Sequence, residues 1–159
     1  MGMPLYGQDK LGNQLDKKVG KVIRVTGNAN VSLSADDSGS IIFIEGGAAG
    51  AAACSLPHID KVDGLEFTFL LGAANGSSDI DIDAEDGVDF FVGHLNSVEG
   101  GSDAGVDFDG STHDQVSLVA SKGAAGDRVH IVSCDGKWYL DGRINDLDGW
   151  AVGTASANT

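Results

Sequence analysis

The chain has 159 residues, 42% of them hydrophobic, with 24 glycines, 2 prolines and a net charge of −14 from 10 Lys+Arg against 24 Asp+Glu. That length fits one domain, at most two small ones, with room for a real core. Twenty of the acids are Asp, which prefers turns and caps to helix interiors, so the composition argues against a helical bundle, and the acidity argues against a nucleic-acid-binding surface. No run of 18 apolar residues is present, which excludes a helical membrane span, and recurrent Val/Ile/Leu/Phe runs exclude a disordered acidic tail.

The N-terminal stretch lacks the apolar core of a signal peptide. Gly2 is followed by Tyr6 where a myristoylation motif needs Ser or Thr. Leu5, Tyr6, Leu11 and Leu15 recur at neither helical nor strand period, so residues 1–18 are expected to form an arm that orders only on a partner. Lys10, Lys17, Lys18, Lys21 and Arg24 against Asp9 and Asp16 make residues 1–24 +3, leaving −17 for the rest.

From Val19 the pattern is that of strands. Ile23 and Val25 alternate with Val22, Arg24 and Thr26, and Val31 and Leu33 with Ser32 and Ser34. A turn at Asp36-Asp37-Ser38-Gly39 leads into the apolar strand Ile41–Ile44. Residues 46–53 are Ala/Gly-rich, and their glycines disfavour even a single helical turn. Leu65, Phe67, Phe69 and Leu71 share one face of the next strand, and Ile80 and Ile82 follow between Asp79, Asp81 and Asp83. Further strands are expected at Val88–Val92, Gln115–Ala120, Arg128–Ser133, Trp138–Leu140 and Trp150–Val152, with Asp135-Gly136 as a hairpin turn. By composition, Gly93–Gly105 reads as a mobile loop and Gly153–Thr159 as a loose tail. About ten short strands with frequent turns give the expected fold: a single all-β domain over 19–152, a barrel or a sandwich.

The chemistry in the sequence is sparse. Asp79, Asp81 and Asp83 would project from one strand face about 7 Å apart, a weak Ca²⁺ candidate. The stretch fails as an EF-hand loop, with Ala84 at the sixth position and Phe90 at the twelfth, so a solvated acidic outer face is the preferred reading. Asp103, Asp107, Asp109 and Asp114 are explained by turn chemistry. His58, His94, His113 and His130 show no zinc-ligand spacing, and no nucleophile elbow or phosphate-binding loop is present, so neither a cofactor nor an enzymatic activity is expected. Cys54 and Cys134 read as buried thiols of an intracellularly made protein, with a single bridge between them as the alternative. Trp138 is expected in the core rather than on a sugar-stacking surface.

Two stretches carry a resemblance. Asp37-Ser38-Gly39-Ser40-Ile41-Ile42-Phe43-Ile44 precedes an Ala/Gly stretch, Ser55-Leu56-Pro57 and Gly64-Leu65-Glu66-Phe67-Thr68-Phe69. Later, Gly126-Asp127-Arg128-Val129-His130-Ile131-Val132-Ser133 leads into Asp135-Gly136-Lys137-Trp138-Tyr139-Leu140-Asp141-Gly142. This order resembles the β-rich decoration (cement) proteins of tailed-bacteriophage heads, and also looks like modules of tail fibres. The resemblance spans residues 36–143 and implies a homotrimeric knob on the outer capsid surface, with the major capsid protein as partner and no catalytic residue. The charge split then makes Leu5, Tyr6, Leu11, Leu15, Lys17, Lys18 and Lys21 the expected attachment residues, the apolar ones as anchors and the lysines for steering. A receptor- or glycan-binding module of a tail fibre is the alternative.

Overall fold

The structure, a computed structural model, describes residues 21–26, 29–45, 52–60, 62–84, 88–99, 102–146 and 148–153. These residues form twelve strands: β1 (Val22–Val25), β2 (Val31–Ser32), β3 (Ser40–Ile44), β4 (Ala52–Ser55), β5 (Glu66–Leu71), β6 (Ile80–Asp83), β7 (Phe91–Glu99), β8 (Ser102–Asp109), β9 (Gln115–Leu118), β10 (Arg128–Cys134), β11 (Lys137–Ile144) and β12 (Trp150–Gly153). A short 3₁₀ turn at Ala35–Asp37 is the only helical element among them. The all-β class is as expected. Of the two expected architectures it is the two-sheet one, because the strands divide into a seven-stranded sheet, β1-β3-β5-β10-β11-β7-β8, and a five-stranded sheet, β12-β9-β6-β4-β2.

The first half of the chain winds between the sheets. β1, β3 and β5 lie parallel in the larger sheet, while β2, β4 and β6 lie parallel in the smaller one. A parallel neighbour requires a crossover, and here each crossover is itself a strand of the opposite sheet. The second half closes the sheets with antiparallel partners: β10 pairs with β5 and β11, β9 with β6 and β12.

Period-2 alternation decides what each strand buries. Phe67, Phe69 and Leu71 point inward from β5, Val129 and Ile131 from β10, and Ile80 and Ile82 from β6, all joining one core cluster between the sheets. Trp138 is fully buried and its ring centroid lies 6.0 Å from that of Phe67, as its place in the alternation implied. Trp150 is buried as well. The Asp135-Gly136 turn is present: Cys134 pairs with Lys137, and φ values of +50° and +68° at the two central residues suit the right-handed twist of the strands it joins.

Two expectations are corrected. Gly93–Gly105 is no loop but most of the β7–β8 hairpin, paired continuously from Val92↔Asp109 to Glu99↔Ser102. Two of the small residues that suggest a loop, Gly93 and Ser97, share the inward phase of β7 with Phe91 and Leu95, and Gly105 lies beneath the His94 ring. The end of the Ala/Gly-rich stretch forms β4, which buries Cys54 beside Ile82 of β6; residues 46–51 lie outside the described ones. Cys54 and Cys134 are both free, but only Cys54 is buried, because Cys134 falls on the outward phase at the end of β10.

Candidate functional site

The seven-stranded sheet has one face on the core, and no described strand packs on the other. Cross-strand register lines up its outward residues in rows, with neighbouring strands about 5 Å apart. One row runs across every strand: Val22, Ile41, Thr68, His130, Asp141, His94 and Asp107. The row beside it holds Arg24, Phe43, Leu70, Arg128, Arg143, Asn96 and Gly105. Both rows follow from alternation, since Ile42, Phe69, Val129 and Leu95 between them are buried.

A groove of about 870 Å³ runs over the centre of this face, lined by Thr68, Asn96, Arg128, His130, Asp141, Gly142 and Arg143. Thr68 Oγ1 lies 3.0 Å from His130 Nδ1. At the far side His94 Nδ1 lies 2.5 Å from Asp107 Oδ1 and Nε2 lies 2.9 Å from Asn96 Oδ1. Both contacts suit a doubly protonated imidazole, and the Asp107 carboxylate, above all, raises the His94 pKa from its ordinary value. The His94 ring lies over Gly105, where a Cβ would sit 2.2 Å from Cε1.

Arg128 and Arg143 face each other across β10 and β11. Among the described residues the other basic side chains are engaged. Lys21 pairs with Asp37, Arg24 with Glu45 at 3.1 Å, and Lys122 with Asp146 at 3.2 Å; Lys137 donates to the Gly110 carbonyl at 2.9 Å. Arg128 and Arg143 form no ion pair with a described residue. Like charges directly opposite on a sheet are destabilising.

The edge of the same face is apolar. Val22 is 52% and Ile41 37% exposed, and the Arg24 guanidinium lies 5.0 Å from the centroid of the half-buried Phe43 ring. Among the described residues β1 is the edge strand, paired on one side with β3.

Of the expected attachment residues, Lys21 is described: its side chain is exposed and its ammonium pairs with Asp37, whose carboxyl this contact chiefly lowers to about 2. Leu5, Tyr6, Leu11, Leu15, Lys17 and Lys18 lie outside the described residues, as does the tail beyond Gly153, the last residue of β12. Asp79, Asp81 and Asp83 stand on the outer side of the smaller sheet, each accepting a hydrogen bond from a different residue. Ala120 N–H donates to Asp79 at 2.7 Å, Ser117 Oγ to Asp81 at 2.6 Å, and Gln115 Nε2 to Asp83 at 2.9 Å. Partial burial pushes the Asp83 pKa up, reinforced by the nearby Asp81 and Asp114 carboxylates. Among the described residues no three His, Cys, Asp or Glu side chains converge as metal ligands. Asp109 accepts the Ser111 N–H at 2.8 Å, the turn role expected of it. His58 and His113 lie apart from the groove: His58 Nδ1 is 3.1 Å from the buried Asp89 carboxylate, and the His113 ring packs edge-on against Phe108.

Sequence reasoning placed Arg128 and His130 on a strand but missed the pairing of Arg128 with Arg143. The signal was there. Counting outward from the two-residue Asp135-Gly136 turn sets Arg143 opposite Arg128 and Asp141 opposite His130, provided the second strand continues past Leu140. Asn96 had no such signal, because β7 joins β11 as a distant parallel neighbour. No helix among the described residues is long and apolar enough to cross a membrane. Comparisons with protein-family models, curated proteins and solved structures give no match for this chain.

Proposed function

We propose that this chain is a virion structural protein that binds the outer surface of a phage capsid and stabilises it, acting by binding alone. The observation that carries this reading is the β1 edge of the larger sheet. There a strand edge unpaired among the described residues, the exposed Val22 and Ile41, and Phe43 beneath Arg24 form one strip. Residues 1–20, which carry Lys10, Lys17 and Lys18, precede Lys21 in the chain. An open edge accepts a strand from a partner through main-chain hydrogen bonds, and adjoining apolar surface supplies the burial that makes such an addition stable. The partner is the major capsid protein, and a homotrimer brings three such strips to one attachment point. The net charge of −14 keeps a densely displayed protein soluble and away from the packaged genome.

Deleting residues 1–18 tests the reading. Cosedimentation with heads lacking the protein should show binding by the full chain and none by the truncated one, while light scattering finds the same folded oligomer for both. Undiminished occupancy after truncation would sink the arm's role. Electron microscopy that places the chain on the tail rather than over the shell would overturn the decoration function itself.

A further inference from the structure

The opposed arginines call for an account that capsid attachment does not provide. The chain carries 24 acidic residues, and the structure pairs Lys21, Arg24 and Lys122 with acids, yet it sets Arg128 opposite Arg143 with no ion pair for either among the described residues. Holding two guanidinium groups on directly opposed sheet positions costs stability. An oxyanion between them reverses that cost, because two planar donor forks match a carboxylate bidentately.

Placement narrows the ligand class. β5, β10, β11 and β7 are interior strands, so their backbone donors and acceptors are already committed to the ladders on both sides. A peptide has no free edge to extend here, and recognition must come from side chains alone. The remaining groove side chains are Thr68, His130, Asn96 and Asp141, a mixture of donors and acceptors suited to hydroxyl groups. Asp141 lies two residues from Arg143 on the same face, and its carboxylate accepts hydrogen bonds from hydroxyls. Tyr139 continues that face, 42% exposed, one row further along β11. Rows about 7 Å apart bring an aromatic ring within reach of the next ring of a bound chain.

We propose that the outer face of β5, β10, β11 and β7 is a binding groove for an acidic oligosaccharide, with a sugar carboxylate held between Arg128 and Arg143 and the hydroxyls read by Thr68, His130, Asn96 and Asp141. The groove lies in the middle of the sheet, away from the β1 edge, and the two surfaces can be occupied together or fail independently.

Titration calorimetry of the full chain with tetragalacturonate tests the proposal, alongside neutral maltotetraose, inorganic phosphate and a short poly-glutamate peptide as separate probes. Tetragalacturonate should bind, and more weakly as salt is raised. The R128Q and R143Q variants should each weaken it at least about tenfold, the equivalent of ~1.4 kcal/mol, and the double variant should abolish it. Maltotetraose should bind at least about tenfold more weakly than the acidic sugar, since it lacks the charged group. Both single variants should melt no lower than the parent chain, because each removes a like-charge opposition. Phosphate binding as tightly as tetragalacturonate would reduce the groove to a bare anion site and overturn the sugar assignment. Tighter binding of poly-glutamate would overturn it in favour of a protein partner. Lowered melting temperatures in both variants would make the arginines part of the fold and end the proposal, as would absence of tetragalacturonate binding.

Discussion

Replacing Gly93 by Ala separates a strand from a loop at the point where composition and structure disagree most. Gly93 sits on β7 between Leu140 of β11 and Phe108 of β8. Its φ is +140°, and a Cβ would meet the Leu140 carbonyl oxygen at 2.0 Å, its carbon at 3.0 Å and its nitrogen at 3.2 Å. These are backbone atoms, so no rotamer change relieves the contact; β7 and β11 have to separate. Backbone strain of this kind costs about 1–3 kcal/mol, and forced overpacking adds about 1–3 kcal/mol. The sum, about 2–6 kcal/mol, is a large share of the ~5–15 kcal/mol that holds a domain together. At roughly 2–4 °C per kcal/mol for a chain of this size, the melting temperature should fall by ~5–20 °C. Gly136→Ala is the control: its φ is +68°, yet nothing lies within 4 Å of the new Cβ. It should lose only the cost of left-handed backbone, about 1–2 kcal/mol. Thermal and urea unfolding of the two variants side by side measure the difference. Equal destabilisation would mean that Gly93 is not wedged against β11, and the placement of β7 in the sheet would be wrong.

Two further predictions concern single side chains. The His94 pKa is raised chiefly by its hydrogen bond to Asp107, so the protonated form is favoured in the folded state. Its contribution to stability is fully present below the ordinary histidine pKa and is lost as pH rises through the raised folded value. The ring-proton shift of His94 followed by NMR should titrate above the ordinary range, and D107N should bring the midpoint down; a midpoint indifferent to D107N would refute the pairing. The two thiols should also differ sharply. Burial, with Asp83 and Asp81 nearby, pushes Cys54 up to about 12, whereas Cys134 is exposed. A disulfide reagent should modify one thiol in the native protein and the second only after denaturant is added. Two rapidly reacting thiols, or none, would contradict the free buried-and-exposed pair.

The strands that alternate cleanly were legible because one face alone reaches the core. Phe67/Phe69/Leu71, Ile80/Ile82 and Val129/Ile131 mark their inward phase regardless of what surrounds them. β7 and β8 were not, because their residues answer to neighbours absent from the local sequence. Gly93 is small beneath the Leu140 carbonyl, and Gly105 is small beneath the His94 ring. Val22 and Ile41 show the converse: an apolar residue in a strand does not announce which sheet face it will occupy. The candidate groove was half legible. A local turn fixes Arg128 opposite Arg143, whereas the approach of Thr68 and Asn96 depends on pairings between distant segments, which periodicity does not encode.

The position of the β10–β11 hairpin has a consequence for how the molecule assembles. Without it, the larger sheet is two unconnected pieces, the parallel trio β1-β3-β5 and the ribbon β7-β8. The hairpin joins them, laying β10 against β5 and β11 against β7. Its two strands follow β5 by more than fifty residues of chain, so the Phe67 and Phe69 side chains await their cover until the hairpin has been made. Long-range pairings of this kind slow folding, and an unfinished chain presents two open edges where the finished one has a continuous sheet. The same insertion brings Arg128 and Arg143 between Thr68 and Asn96. Ligand capture therefore reports completion of the fold, and a chain truncated before Lys137 is expected to lose the groove and the sheet in a single step.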